Sequence, residues 1–121
     1  MAKIINLRTF TDARGNLTVI EKVLPFDIRR IFYIYGVDRS IRGGHRHHKL
    51  YQAAICIKGS CIISNNDGLK KETFVLDDPS KCLLLEPKDW HQMHDFTPDA
   101  ILMVLASDYF DPADYIYENY P

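Results

Sequence analysis

The run Arg42-Gly43-Gly44-His45-Arg46-His47-His48-Lys49 holds three of the five histidines in the chain. If Gly43-Gly44 opens a strand, side chains beyond it alternate between two faces. His45 and His47 then share one face, and Arg46 and His48 take the other. Two imidazoles on one face of a sheet can ligate a metal or move protons. Gln52 follows His47 after four residues, and Gly59 follows Gln52 after six more. His91 and His94 form a second pair far downstream.

Outward from this run the pattern is short β-like segments broken by turn residues. Segments 3–9, 16–22, 28–37, 51–58, 60–64, 70–76, 82–86, 90–96 and 100–106 read as strands, rich in aromatic and β-branched side chains. Asn65-Asn66-Asp67-Gly68 reads as a hairpin turn. Only the tail looks helical, with Asp111 as N-cap and Pro112 at the first helical position. Many short strands with regular turns predict an all-β sandwich or barrel with a short C-terminal helix. The mouth of a small barrel would give inward-facing residues a pocket.

With 121 residues, the chain reads as a single domain, 1–121, large enough for its own core. Its net charge of −1 lacks the basic surplus that nucleic-acid binding requires. Arg42, Arg46 and Lys49, with Arg29 and Arg30, could still hold one small anion. No apolar run is long enough to cross a membrane as a helix, and Met1-Ala2-Lys3-Ile4-Ile5 has no signal-peptide character. Cys56, Cys61 and Cys82 lie in apolar strand-like context without CxxC spacing. Buried reduced thiols, and hence a cytoplasmic setting, are expected.

The spacing from His45 to Gly59 resembles the first motif of the cupins, double-stranded β-helix barrels of the jelly-roll type. Metal-binding cupins hold their ion with two His, a Glu and a later His. Here the Glu position carries Gln52, or Tyr51 at the shorter spacing, and neither brings a carboxylate. In the second motif, Pro87-Lys88-Asp89-Trp90-His91 lacks the usual Gly and places its His one residue early. A divalent ion prefers anionic or imidazole ligands, so proton transfer is the favoured role and no metal or other cofactor is expected.

At finer grain the chain resembles the sugar 3,4-ketoisomerases. The resemblance rests on Asp12-Ala13-Arg14-Gly15, the segment from Pro25 to Tyr33, and Arg42 to His47. It continues through Trp90 to Phe96, Val104 to Asp111, and Asp114-Tyr115-Ile116. Such enzymes move the ketone of dTDP-4-keto-6-deoxyglucose from C4 to C3, toward 3-amino-3,6-dideoxyhexoses of bacterial surface glycans. His48 stands where the family commonly has Lys, and Tyr51 where it often has an acid. The resemblance implies that His45 and His47 carry the proton transfers and that Tyr33 orients a histidine or a sugar oxygen. It also implies substrate-binding roles for Arg14, Arg42, Lys49, Gln52 and His91. A dTDP-linked sugar as substrate and a homodimer that exchanges an N-terminal strand follow from the same likeness. Arg14 with His91 resembles the branch giving the galacto product.

Two other readings compete. One is a metal-dependent cupin using His45, His47 and His91; the other is a sugar-binding cupin without turnover. A sugar-nucleotide 3,5-epimerase matches the motifs less well.

Overall fold

The computed structural model describes residues 1–121. Two five-stranded antiparallel sheets face each other. The first has strand order β1-β9-β6-β11-β4, from Lys3–Asn6 (β1), Lys81–Leu85 (β9), Gln52–Lys58 (β6), Ile101–Ala106 (β11) and Arg30–Ile34 (β4). The second has order β12-β5-β10-β7-β8, from Tyr115–Ile116 (β12), Arg42–His47 (β5), Trp90–His94 (β10), Cys61–Asn66 (β7) and Lys71–Leu76 (β8). Arg8–Asp12 (β2) and Gly15–Val19 (β3) form a separate hairpin.

The core follows from alternation. Inward residues of both sheets, among them Cys56, Leu83 and Leu102 from the first and Ile63, Leu76 and Met93 from the second, fill the space between. The opposite face of the first sheet is also buried. There Ala53, Ile55, Cys82 and Leu105 pack under Ile20, Leu24 and Phe26. This explains why β6 and β9 read as nearly continuous apolar runs: both faces are covered. All three cysteines are buried free thiols. No helix is long and apolar enough to cross a membrane.

Three expectations need correction. The first strand is split, with β1 ending at Asn6 and β2 starting at Arg8: Leu7 between them still donates to the Ser80 carbonyl at 2.7 Å and packs in the second core, and beyond it the chain leaves β9 for the hairpin. Asn65 and Asn66 belong to β7, so the turn to β8 begins only at Asp67. The tail is not an α-helix. Asp111 does cap it, accepting from the Ala113 amide at 3.0 Å, but the turn is a single 3-10 turn, Pro112–Asp114. Asp114 then accepts from the amides of His48 and Lys49, both at 3.0 Å, and Tyr115 pairs with His47. The edge of β5 captures the backbone before a second helical turn can form.

Candidate active site

The histidine strand is shaped by its glycines. Gly43 and Gly44 have φ of +85° and +80°, and the β5–β10 register shifts there: Gly43 pairs with Gln92, but His45 pairs with His91. Gly44 is the extra residue of a β-bulge. A side chain at position 43 would put its Cβ 2.8 Å from the His91 carbonyl oxygen. Only glycine tolerates both the conformation and that approach.

Beyond the bulge His45, His47 and His91 converge. Ring centroids of His45 and His47 are 4.9 Å apart, and those of His45 and His91 are 5.4 Å apart. His47 and His91 are 4% and 1% exposed, while His45 is half-buried. The Nε2 atoms of His47 and His91 are buried without a hydrogen-bond partner. Burial disfavours the imidazolium form of all three. It pushes His47 down to about 3, helped by the neighbouring His45, His91 and the Arg30 guanidinium. It pushes His91 down to about 4, against a hydrogen bond to the Asp89 backbone that works the other way. His45 is lowered by the same cause, opposed by a hydrogen bond to the Gly43 backbone. The cluster is therefore uncharged at neutral pH, and the buried Nε2 atoms of His47 and His91 are left open for hydrogen bonding.

This arrangement has a consequence for stability. The unfolded chain protonates its histidines near pH 6.5, whereas folded His47 and His91 resist protonation until about pH 3 and 4. The unfolded state thus binds more protons in that interval, and stability falls as pH falls. Buffered denaturant titrations should show a lower midpoint at pH 5 than at pH 7.5. The lowered carboxylates, such as Asp67 and Asp78, act only further toward acid. A flat profile between pH 7.5 and 5 would contradict the burial argument.

Residues that sequence alone did not single out complete the site. Tyr115 packs its ring 4.5 Å from His45 and 4.8 Å from His47. Arg30 shares the inward side of β4 with Phe32 and Ile34, and its Nε is buried without a partner. Arg30 was visible only as one of several basic residues, and Tyr115 was masked by the helix-like Asp111-Pro112 signal.

The other expected residues divide. Gln52 is buried at the start of β6, on the side of Ala54 and Cys56 that faces the core. Arg42 is exposed at the rim of β5, beside a small polar pocket with Tyr35, Asp38 and Ser40. Lys49 lies past the end of β5, exposed and 3.9 Å from Asp108. Arg14 sits at the tip of the β2–β3 hairpin, paired with Asp12 at 2.6 Å, away from the histidines of its own chain. Tyr33 lies apart from the histidine cluster of its own chain. It is 62% exposed on the outer face of β4, stacked on Tyr35, because Phe32 and Ile34 take the inward positions. Arg46 does take the face opposite His45 and His47, where it stacks on Tyr120 at 4.3 Å and donates to the Glu118 carbonyl at 3.1 Å. His94 is satisfied by Ser64 and Asp95, each at 2.6 Å.

A cupin barrel raises the question of a metal. No group of three or more His, Cys, Asp or Glu side chains is arranged to hold one. The would-be carboxylate position is Gln52, and a guanidinium acts on His47. The three imidazoles lack a carboxylate beside them and are not arranged to hold an ion together, and no step below is routed through one.

Comparison with known proteins decides the family. The family model described as FdtA, WxcM-like, C-terminal matches residues 1–120. The chain belongs to this family of sugar 3,4-ketoisomerases. The TDP-4-oxo-6-deoxy-α-D-glucose-3,4-oxoisomerase of Aneurinibacillus thermoaerophilus is 44% identical over 123 residues, covering 98% of this chain and 88% of that relative. Among solved structures, the TDP-quinovose 3,4-ketoisomerase WlaRB of Campylobacter jejuni is 42% identical, with a TM-score of 0.92 over 97% of this chain and 92% of its own. A His-to-Asn mutant of the 3,4-ketoisomerase QdtA from Thermoanaerobacterium thermosaccharolyticum, in complex with TDP-4-keto-6-deoxyglucose, is 41% identical. Its TM-score is 0.92, over 97% of this chain and 87% of that one. The all-β cupin architecture expected from the histidine strand is the fold of this ketoisomerase.

Proposed function

We propose that this ketoisomerase moves the keto group of dTDP-4-keto-6-deoxyglucose from C4 to C3 by imidazole acid–base catalysis. The observation that carries the reading is the uncharged trio His45, His47 and His91, with unpartnered ring nitrogens on the last two. The substrate comes from the kinship with the Aneurinibacillus and Thermoanaerobacterium proteins.

The reaction needs a base to take the C3 proton, giving an enediol or enediolate. A proton is then delivered to C4, while O3 loses its hydrogen and O4 gains one. Electrons balance within the sugar. His45 suits the C3 proton, because it is the least desolvated of the three and so keeps the most basicity. His47 suits proton delivery to O4, with the hydrogen of O3 leaving to a second imidazole. The Arg30 guanidinium beside His47 supplies positive charge for an enediolate.

Arg42 at the start of β5 offers paired donors to the diphosphate, and Lys49, past the other end of that strand, is a separate cation for the substrate. Gln52 is an inward hydrogen-bonding partner for the sugar. Arg14 requires a second copy. Every residue of β2 is exposed and the hairpin belongs to neither large sheet, which leaves it free for exchange in a homodimer that sets Arg14 toward the partner's histidine cluster. A nucleotide-sugar substrate places the work in the cytoplasm, where a pyridoxal-phosphate aminotransferase would consume the 3-keto product on the way to a surface-glycan amino sugar. Arg14 with His91 supports the galacto configuration at C4.

The test is incubation with dTDP-4-keto-6-deoxyglucose in deuterated buffer, read by NMR, with an aminotransferase to trap product. Deuterium at C4 and a trapped 3-amino sugar are expected, and the H4–H5 coupling reads the C4 configuration. Tight binding without exchange would instead favour a non-catalytic sugar-binding cupin. Sedimentation gives the oligomeric state, and a monomer at working concentration would refute hairpin exchange.

A further inference from the structure

Asp89 is fully buried beside the histidines, and its hydrogen bonds fix two neighbours. One carboxylate oxygen accepts from Asn65 Nδ2 at 2.9 Å and the other from the Glu86 amide at 2.7 Å. A carboxylate cannot donate, so the Asn65 amide has one orientation, with Oδ1 turned away from Asp89. The Asp89 backbone carbonyl lies 3.0 Å from His91 Nδ1. A carbonyl also only accepts, so Nδ1 carries the hydrogen and Nε2 presents a lone pair.

Both acceptors are orphaned: Asn65 Oδ1 and His91 Nε2 are buried without a partner. They are also neighbours. Asn65 pairs with His91 across β7 and β10, and His91 pairs with His45 across β10 and β5. Directly opposed residues share a face, so the three side chains form one row on the inner side of the sheet. Ile63, two residues before Asn65, lies in the core on that side. Two buried acceptors side by side call for a ligand with two adjacent donors, because buried polar groups left unpaired are costly.

We infer that Asn65 is a specificity-determining residue that accepts the hydrogen of the sugar 2-hydroxyl, beside His91 Nε2, which accepts that of the 3-hydroxyl. This rests on the ketoisomerase reading. An amide carbonyl is too weak a base to take a proton, so it suits a hydroxyl that keeps its hydrogen. In dTDP-4-keto-6-deoxyglucose C1 carries the diphosphate, O3 reacts, C4 is the ketone and C6 is a methyl. The 2-hydroxyl is the one unreacting donor left on the ring, and it adjoins O3 as Asn65 adjoins His91.

The experiment compares the substrate with its 2-deoxy analogue on the wild-type protein and on Asn65→Leu, by calorimetric Kd and by KM. Wild type should favour the 2-hydroxy sugar by about 10- to 100-fold. Asn65→Leu should bind both sugars as weakly as wild type binds the analogue, with TDP alone bound equally by both proteins. Asn65→Ser, too short to reach, gives the same comparison should leucine disturb the fold. An Asn65 variant that keeps the wild-type preference, or a wild type with none, overturns the inference. Absence of turnover by wild type would instead refute the ketoisomerase reading, and the binding ratios would still decide the role of Asn65.

Discussion

Substitution of His45 or His47 by asparagine should lower kcat by about 10²- to 10⁴-fold, the contribution of one positioned acid or base. Asparagine keeps a polar group of similar reach but cannot accept a proton. The two variants should differ in kind. His45→Asn, lacking the C3 base, should show neither turnover nor solvent deuterium in recovered substrate. His47→Asn should still exchange the C3 hydrogen, because only proton delivery to O4 is interrupted. Asparagine fits within the space of either imidazole, so circular dichroism should stay native. Full activity in either variant would remove that histidine from the mechanism, and exchange persisting in His45→Asn would reassign the C3 base.

The second large effect is expected at Gly43→Ala. A left-handed backbone costs about 1–3 kcal/mol for a residue with a side chain, and here Cβ would also lie 2.8 Å from the His91 carbonyl oxygen. That oxygen belongs to the backbone of the neighbouring strand and cannot swing aside. Strand β5 must move from β10, which separates His45 from His91. A loss of about 2–4 kcal/mol in denaturant unfolding is expected, together with a fall in kcat/KM of more than about tenfold. Wild-type stability would show that the bulge is not constrained as described.

Much of this was legible in the chain. Alternation beyond Gly44 correctly put His45 and His47 on one face and Arg46 on the other, because a strand with one buried side has little freedom of register. Local signals misled where tertiary contacts competed. Asp111-Pro112 is a sound helix start, yet Asp114 finds the free amides of His48 and Lys49, and the chain turns into a strand. Asn65 looked like part of a turn because asparagine favours turns; the partner that holds it in a strand interior, Asp89, is 24 residues away. Phe32 and Ile34 fill the core and set Tyr33 on the outer face of β4, where it stacks on Tyr35.

Residues 117–120 have a practical meaning for anyone shortening this protein. Tyr120 is stacked on Arg46 and donates its hydroxyl to the Lys88 carbonyl, while Trp90 donates to the Tyr117 carbonyl. Those anchors sit on the reverse side of the strands bearing His45, His47 and His91. Removing the residues from Tyr117 onward would therefore loosen the wall that carries the reacting histidines, although none of the removed groups is assigned a part in the chemistry.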